Sequence, residues 1–169
     1  MRRACASLCL VVATLWAAAI FVAPRVVASG AEHPIWSDLG ALVYLAGGVV
    51  CHQRPERSFH AAGVQYPVCA RCTGLYVSAP LGMIAAIGFL RGRQSYRRWR
   101  IVLAVAIVPT LVSILLERLG GPSDTVSRAL AALPLGAAAA AFVVTAVLGH
   151  FAHDFGGPEA RAVRPGSGV

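Results

Sequence analysis

The sequence contains no lysine, and charge of either sign is scarce in it. Charged residues make up 13% of the chain, with 7 acidic side chains against 15 basic ones, all of them arginine. A soluble domain usually carries about 25% charge and about 45–50% apolar residues. Here 57% of the residues are hydrophobic and the mean hydropathy is +0.69, which excludes an ordinary water-soluble domain. The apolar surplus must face something other than water, and lipid is the simplest candidate. The missing lysine is the kind of bias that a GC-rich genome produces and points to no activity. The formal net charge is +8, which can signal a nucleic-acid partner. Five of the arginines, however, fall within residues 91–100, between two apolar runs. That placement is the pattern of a cytoplasmic loop under the positive-inside rule, so no nucleic-acid partner is expected.

What is present is a series of long apolar runs. Residues 4–23 follow Arg2 and Arg3 and would form a helix of about 30 Å, enough to cross a bilayer. A cleaved signal peptide is the rival reading, because small residues follow near Ala28; the length of the run favours a retained span. Residues 36–50 are apolar but short, about 22 Å as a helix, with Ser37 and Asp38 as N-cap candidates. They predict a short or re-entrant helix. Residues 73–90, 101–116 and 130–148 predict three further spans. The last is rich in small residues from Gly136 to Ala141, which lets helices approach closely in lipid. The expected fold is an all-α integral membrane bundle of four to five apolar helices with a cysteine-rich polar loop. The 169 residues fit one transmembrane domain over 1–152, followed by a flexible tail over 153–169. The expected site is the plasma membrane of a bacterium. With the arginine loop inside, the polar segment over residues 51–72 lies outside the cell.

That segment carries the chemistry. Of the five cysteines, Cys5 and Cys9 lie in the first apolar run, and Cys51, Cys69 and Cys72 lie in the polar segment. Cys69-Ala70-Arg71-Cys72 is a CxxC; Cys51 with His52 precedes it, and His60 stands between. Thiolate and imidazole are the ligands of zinc-like ions, four in a tetrahedral set. The candidate metal ligands are Cys51, His52, Cys69 and Cys72, with His60 as the other choice of histidine and zinc or iron as the ion. A structural disulfide in an oxidising compartment is a second reading. A thiol–disulfide oxidoreductase is a third, since Arg54, Arg57 and Arg71 would favour thiolates. Whether the protein is an enzyme stays open on these residues. Gln53, Arg54, Arg57, Ser58, Arg71 and Tyr76 form a candidate anion-binding or structural polar network, with Glu56 as one possible counter-ion. Glu117 and Arg118 read as interfacial, with Asp124 and Arg128 available to pair with them or to cap the last helix. His150, His153 and Asp154 share a helix face, and the plainest reading is that they mark a helix end. Lipid is the one partner implied.

The string CHQRPERSF, followed by GVQYPVCARCTGLY, resembles the signature of the prokaryotic membrane family catalogued as domain of unknown function 2085. The resemblance covers Cys51 to Tyr76 densely and continues loosely to Arg128 and Gly136. It implies that Cys51, His52, Gln53, Arg57, Ser58, Cys69, Arg71, Cys72, Gly74 and Tyr76 belong to one unit. It favours His52 over His60 for any shared site. Further on the chain departs from the pattern, with Glu117, Ser123 and Asp124 where the family tends to Asp and Asn. The resemblance implies neither a substrate nor a reaction.

Overall fold

A computed structural model describes residues 1–29, 34–89, 94–121 and 124–149. Five helices account for most of them: α1 (Arg2–Ala28), α2 (Pro34–Val50), α3 (Ala70–Phe89), α4 (Tyr96–Arg118) and α5 (Thr125–Val147). Long apolar runs become helices in lipid because every backbone N–H and C=O then finds its partner within the segment. Four of the five, α1, α3, α4 and α5, are long and apolar enough to cross a membrane, whereas α2 is shorter. The fold is an all-α membrane bundle with the cysteine segment in a loop between α2 and α3.

The helix ends differ from those read off the sequence. The first helix continues through Pro24 to Ala28, and α2 starts at Pro34, ahead of the expected caps Ser37 and Asp38. Proline fits the first turn of a helix, where its missing N–H leaves no bond unmade. The arginine stretch is only partly a loop: α4 begins at Tyr96, so Arg97, Arg98 and Arg100 ride on its first turns. Asp124 caps α5 as expected, accepting the Ser127 N–H at 3.2 Å. Arg91, Arg93, Ser123, His150, His153, Asp154 and the tail lie outside the described residues.

The most extensive contact is between α3 and α5. A Cβ at Gly74 would overlap the Ala129 carbonyl, one at Gly82 the Ala137 carbonyl, and one at Gly136 the Leu75 carbonyl. Pairing 74 with 129 and 82 with 137 makes the two helices parallel. The fourth helix runs back against α5, with Trp99 edge-on to Phe142 at one end and Thr110 donating to the Ala131 carbonyl at 2.9 Å further along. The first helix is antiparallel to α3: Ala6 packs near Met83 and Ala86, while Ile20 packs near Tyr66 and Val68. Thus Arg2, Arg3, Arg97, Arg98 and Arg100 gather at one end of the bundle and the cysteine loop at the other. Large apolar side chains such as Leu8, Leu15, Val105 and Leu111 point outward, as a lipid-facing surface requires.

Candidate metal centre

The loop is held by its own polar side chains. The α2 helix delivers Cys51, whose N–H still bonds the Gly47 carbonyl at 2.9 Å. Two residues on, Gln53 sits at φ 46°, in the left-handed region, and turns the chain away from the helix axis. Its side-chain amide donates to the carbonyls of Tyr44 at 2.7 Å and Pro67 at 2.8 Å. The Gln65 amide donates to the Gln53 carbonyl at 2.6 Å and the Ser58 hydroxyl at 3.2 Å. Ser58 in turn donates to the Arg54 carbonyl at 2.8 Å, closing a 3-10 turn over Pro55–Arg57.

A short antiparallel hairpin follows, β1 (His60–Ala61) and β2 (Val64–Gln65). Its two turn residues, Ala62 and Gly63, both take positive φ, as a two-residue hairpin turn of the mirror-image type requires. Pro67 and Val68 are fully buried and lead into α3. Gln53 and Ser58, two members of the expected polar network, are therefore bonded to the loop backbone and to Gln65.

This fold brings three sulfurs together. The ligand atoms of Cys51, Cys69 and Cys72 all lie within 4.8 Å of one another. The Cys69 N–H points at the Cys51 sulfur at 3.2 Å. Tetrahedral zinc with thiolates at about 2.3 Å sets its sulfurs about 3.8 Å apart, so the trio needs only a small contraction to close on an ion. The Cys72 thiol, hydrogen-bonded to the Cys69 sulfur, holds the Cys69 pKa down at about 5, and a bond from the Cys72 backbone and one from the Cys51 thiol act in the same direction. The bond favours thiolate at Cys69 alone, and a soft cation binding all three sulfurs would displace the proton that Cys72 donates to it. His52 is exposed and lines the same cavity, but its ring is not in the trio; His60 is exposed on the hairpin. Tyr76, near the start of α3, packs against the same buried cluster as Cys69 and Cys72 and lies edge-on to Trp16 at 5.8 Å.

Next to the sulfurs stands an ion cluster, of which the sequence offered only the pairing of Arg128 with Glu117. Glu117, at the end of α4, takes Arg71 at 2.5 Å on one oxygen, and Arg57 and Arg128 at 3.2 Å each on the other. Arg128 also donates to the Glu56 carbonyl at 3.3 Å; the Glu56 side chain is exposed, so the arginines use Glu117 as their counter-ion instead. The expected interfacial role of Glu117 gives way to a shared one, because its carboxylate sits where α3, α4 and α5 meet. A cavity of about 520 Å³ opens beside it, lined by the three cysteines, His52, Glu117 and five arginines.

The family described as Predicted membrane protein (DUF2085) matches over residues 51–142. The chain belongs to that family. The matched stretch opens at Cys51 and contains the three cysteines, Glu117 and Arg128. An uncharacterized protein of Methanocaldococcus jannaschii is 31% identical over 96 residues, covering 55% of this chain and 60% of that protein. An uncharacterized protein of Methanothermobacter thermautotrophicus is 33% identical over 102 residues, covering 60% of this chain and 88% of its own length. Both relatives are archaeal, so membership does not imply a bacterial host. No solved structure matches the chain.

Proposed function

We propose that this is an integral membrane protein whose role is to bind a thiophilic metal ion, zinc or iron, at Cys51, Cys69 and Cys72. The observation that carries the reading is the convergence of three sulfurs, drawn from both ends of the loop, within 4.8 Å. The fourth position belongs to His52 or to a ligand entering from the cavity. Protein purified in detergent without chelator should hold about one equivalent of metal per chain, and Cys69→Ser or Cys51→Ser should hold none. Metal retained in His52→Ala assigns the fourth position to an outside ligand. A full count of free thiols with no metal would overturn the proposal.

A thiol–disulfide oxidoreductase remains the second reading, favoured by the lowered pKa of Cys69 at the head of a CxxC. It requires metal-free protein in which Cys69 and Cys72 cycle between thiol and disulfide.

We further propose one transmembrane domain of four spans in a prokaryotic plasma membrane, with α2 as a re-entrant or interfacial helix. The arginine-rich end then lies in the cytoplasm and the cysteine loop outside. What supports this is the short connection between two spans, with five arginines within residues 91–100, whereas three of the arginines at the loop end are paired with Glu117. A cysteine replacing exposed His60, in a chain with its native cysteines removed, should react with an impermeant maleimide on intact cells. Reaction only after permeabilisation would reverse the orientation.

A further inference from the structure

The cavity beside the thiols holds more positive charge than its own walls neutralise. Arg54, Arg57, Arg71, Arg118 and Arg128 line it, and Glu117 is the one carboxylate among its lining residues. Set against Glu117 and a Cys69 thiolate, the five guanidiniums leave a local surplus of three positive charges. Glu117 already serves three of the guanidiniums. Among the described residues Arg54 and Arg118 make no ion pair, although both face the cavity. The Nε of Arg71 is buried without a hydrogen-bond partner. Like charges gathered at the end of an apolar bundle repel one another, and a concave wall focuses their field into the space between them. The guanidinium fork matches the oxygens of a phosphate better than it matches a halide or a single carboxylate oxygen.

The size of the space narrows the class further. At about 520 Å³ it lies within the range of small-molecule sites, roughly 300–1,000 Å³, and exceeds what a bare phosphate ion fills. We propose that the cavity binds the dianionic head of a phosphomonoester, with Arg54 and Arg118 as clamps added to the Glu117-bound arginines. The same chemistry is offered by a soluble phosphate ester and by a phosphatidic acid headgroup, and the end of a membrane bundle is open to both. This proposal goes beyond the metal reading and does not depend on it.

The test uses the full chain in detergent, treated with chelator, with metal content measured on a parallel sample so that the two readings fail separately. Melting is followed against glycerol 3-phosphate, inorganic phosphate, and phosphatidic acid in mixed micelles, each at matched ionic strength in chloride. Saturable stabilisation is expected, because a ligand that binds only the folded state raises its melting temperature. The double variant Arg54→Ala, Arg118→Ala leaves the Glu117 cluster whole, so it should melt normally without ligand. It should bind at least about tenfold more weakly. Stabilisation by glycerol 3-phosphate beyond that by inorganic phosphate, weakened in the variant, supports a soluble ester, and inorganic phosphate acting as strongly as both esters overturns the ester assignment. Stabilisation by phosphatidic acid alone, weakened in the variant, supports a lipid headgroup. Stabilisation no greater than that of chloride for all three probes, or equal in variant and wild type, overturns the proposal.

Discussion

Replacing Glu117 by glutamine should destabilise the protein by about 2–4 kcal/mol, somewhat below the cost of stripping a fully buried ion cluster of its counter-ion, because this cluster borders an open cavity. The glutamine keeps the shape and removes the charge, so Arg57, Arg71 and Arg128 are left repelling one another around a neutral amide. The side chains of Glu117 and Arg128 are 15% and 10% exposed, so solvent in the cavity screens part of this and leaves the larger share. For a chain of this size the loss corresponds to a drop in melting temperature of about 4–16 °C. Arg57 is 40% exposed, and Arg57→Ala should cost only about 0–1 kcal/mol, as exposed ion pairs usually do. The contrast is the measurement. In phosphate-free detergent buffer, a Glu117→Gln melt within a degree or two of wild type would mean that the three arginines do not depend on Glu117.

The second large effect lies in the seam between α3 and α5. In an isolated soluble helix Gly→Ala stabilises by about 1 kcal/mol. At Gly82 the sign should reverse, because the new methyl group would overlap the backbone carbonyl of Ala137, which cannot step aside without moving α5. Gly136→Ala meets the Leu75 carbonyl and the Ser78 hydroxyl in the same way. Each should cost about 1–3 kcal/mol, and valine at either position more. Gly88, also on α3, has open space where its Cβ would be, and Gly88→Ala should be neutral or mildly stabilising. If Gly82→Ala and Gly88→Ala melt alike, the close seam is wrong. Because the seam holds α3, which carries Cys72, against α5, the Gly82 and Gly136 variants should also weaken metal retention.

The spans were legible because hydrophobic length alone decides them; the ends were not, because Pro34 and Arg97 fit a helix start as well as they fit a loop. The cysteine trio was legible from composition, since a CxxC and a third cysteine within one polar segment have few other ways to meet. The standing of His52 was not. After Cys51 the chain turns at Gln53, with φ 46°, and leaves His52 at the cavity wall, outside the trio, and no spacing rule reports that turn. The arginines of the segment were visible as a possible anion site, but their partner, Glu117, is 46 residues from Arg71 in sequence. A lone carboxylate closing an apolar run was the available signal, because a charge at membrane depth is rare without a partner. The sequence placed Gly74 in the family's unit; that it is where α3 meets the Ala129 carbonyl required the fold.

The parallel seam has a consequence for how the protein is made. The two helices that fit most closely are not neighbours in sequence: α4 is synthesised and inserted between them. For that interval the glycine face of α3 lacks the helix that it fits, and Glu117 lacks its partner on α5, Arg128. Assembly therefore belongs to the stage after insertion, when finished helices find one another within the membrane. A chain halted before α5 would carry all three loop cysteines yet lack the helix that holds α3, and so the mouth of the loop, in place.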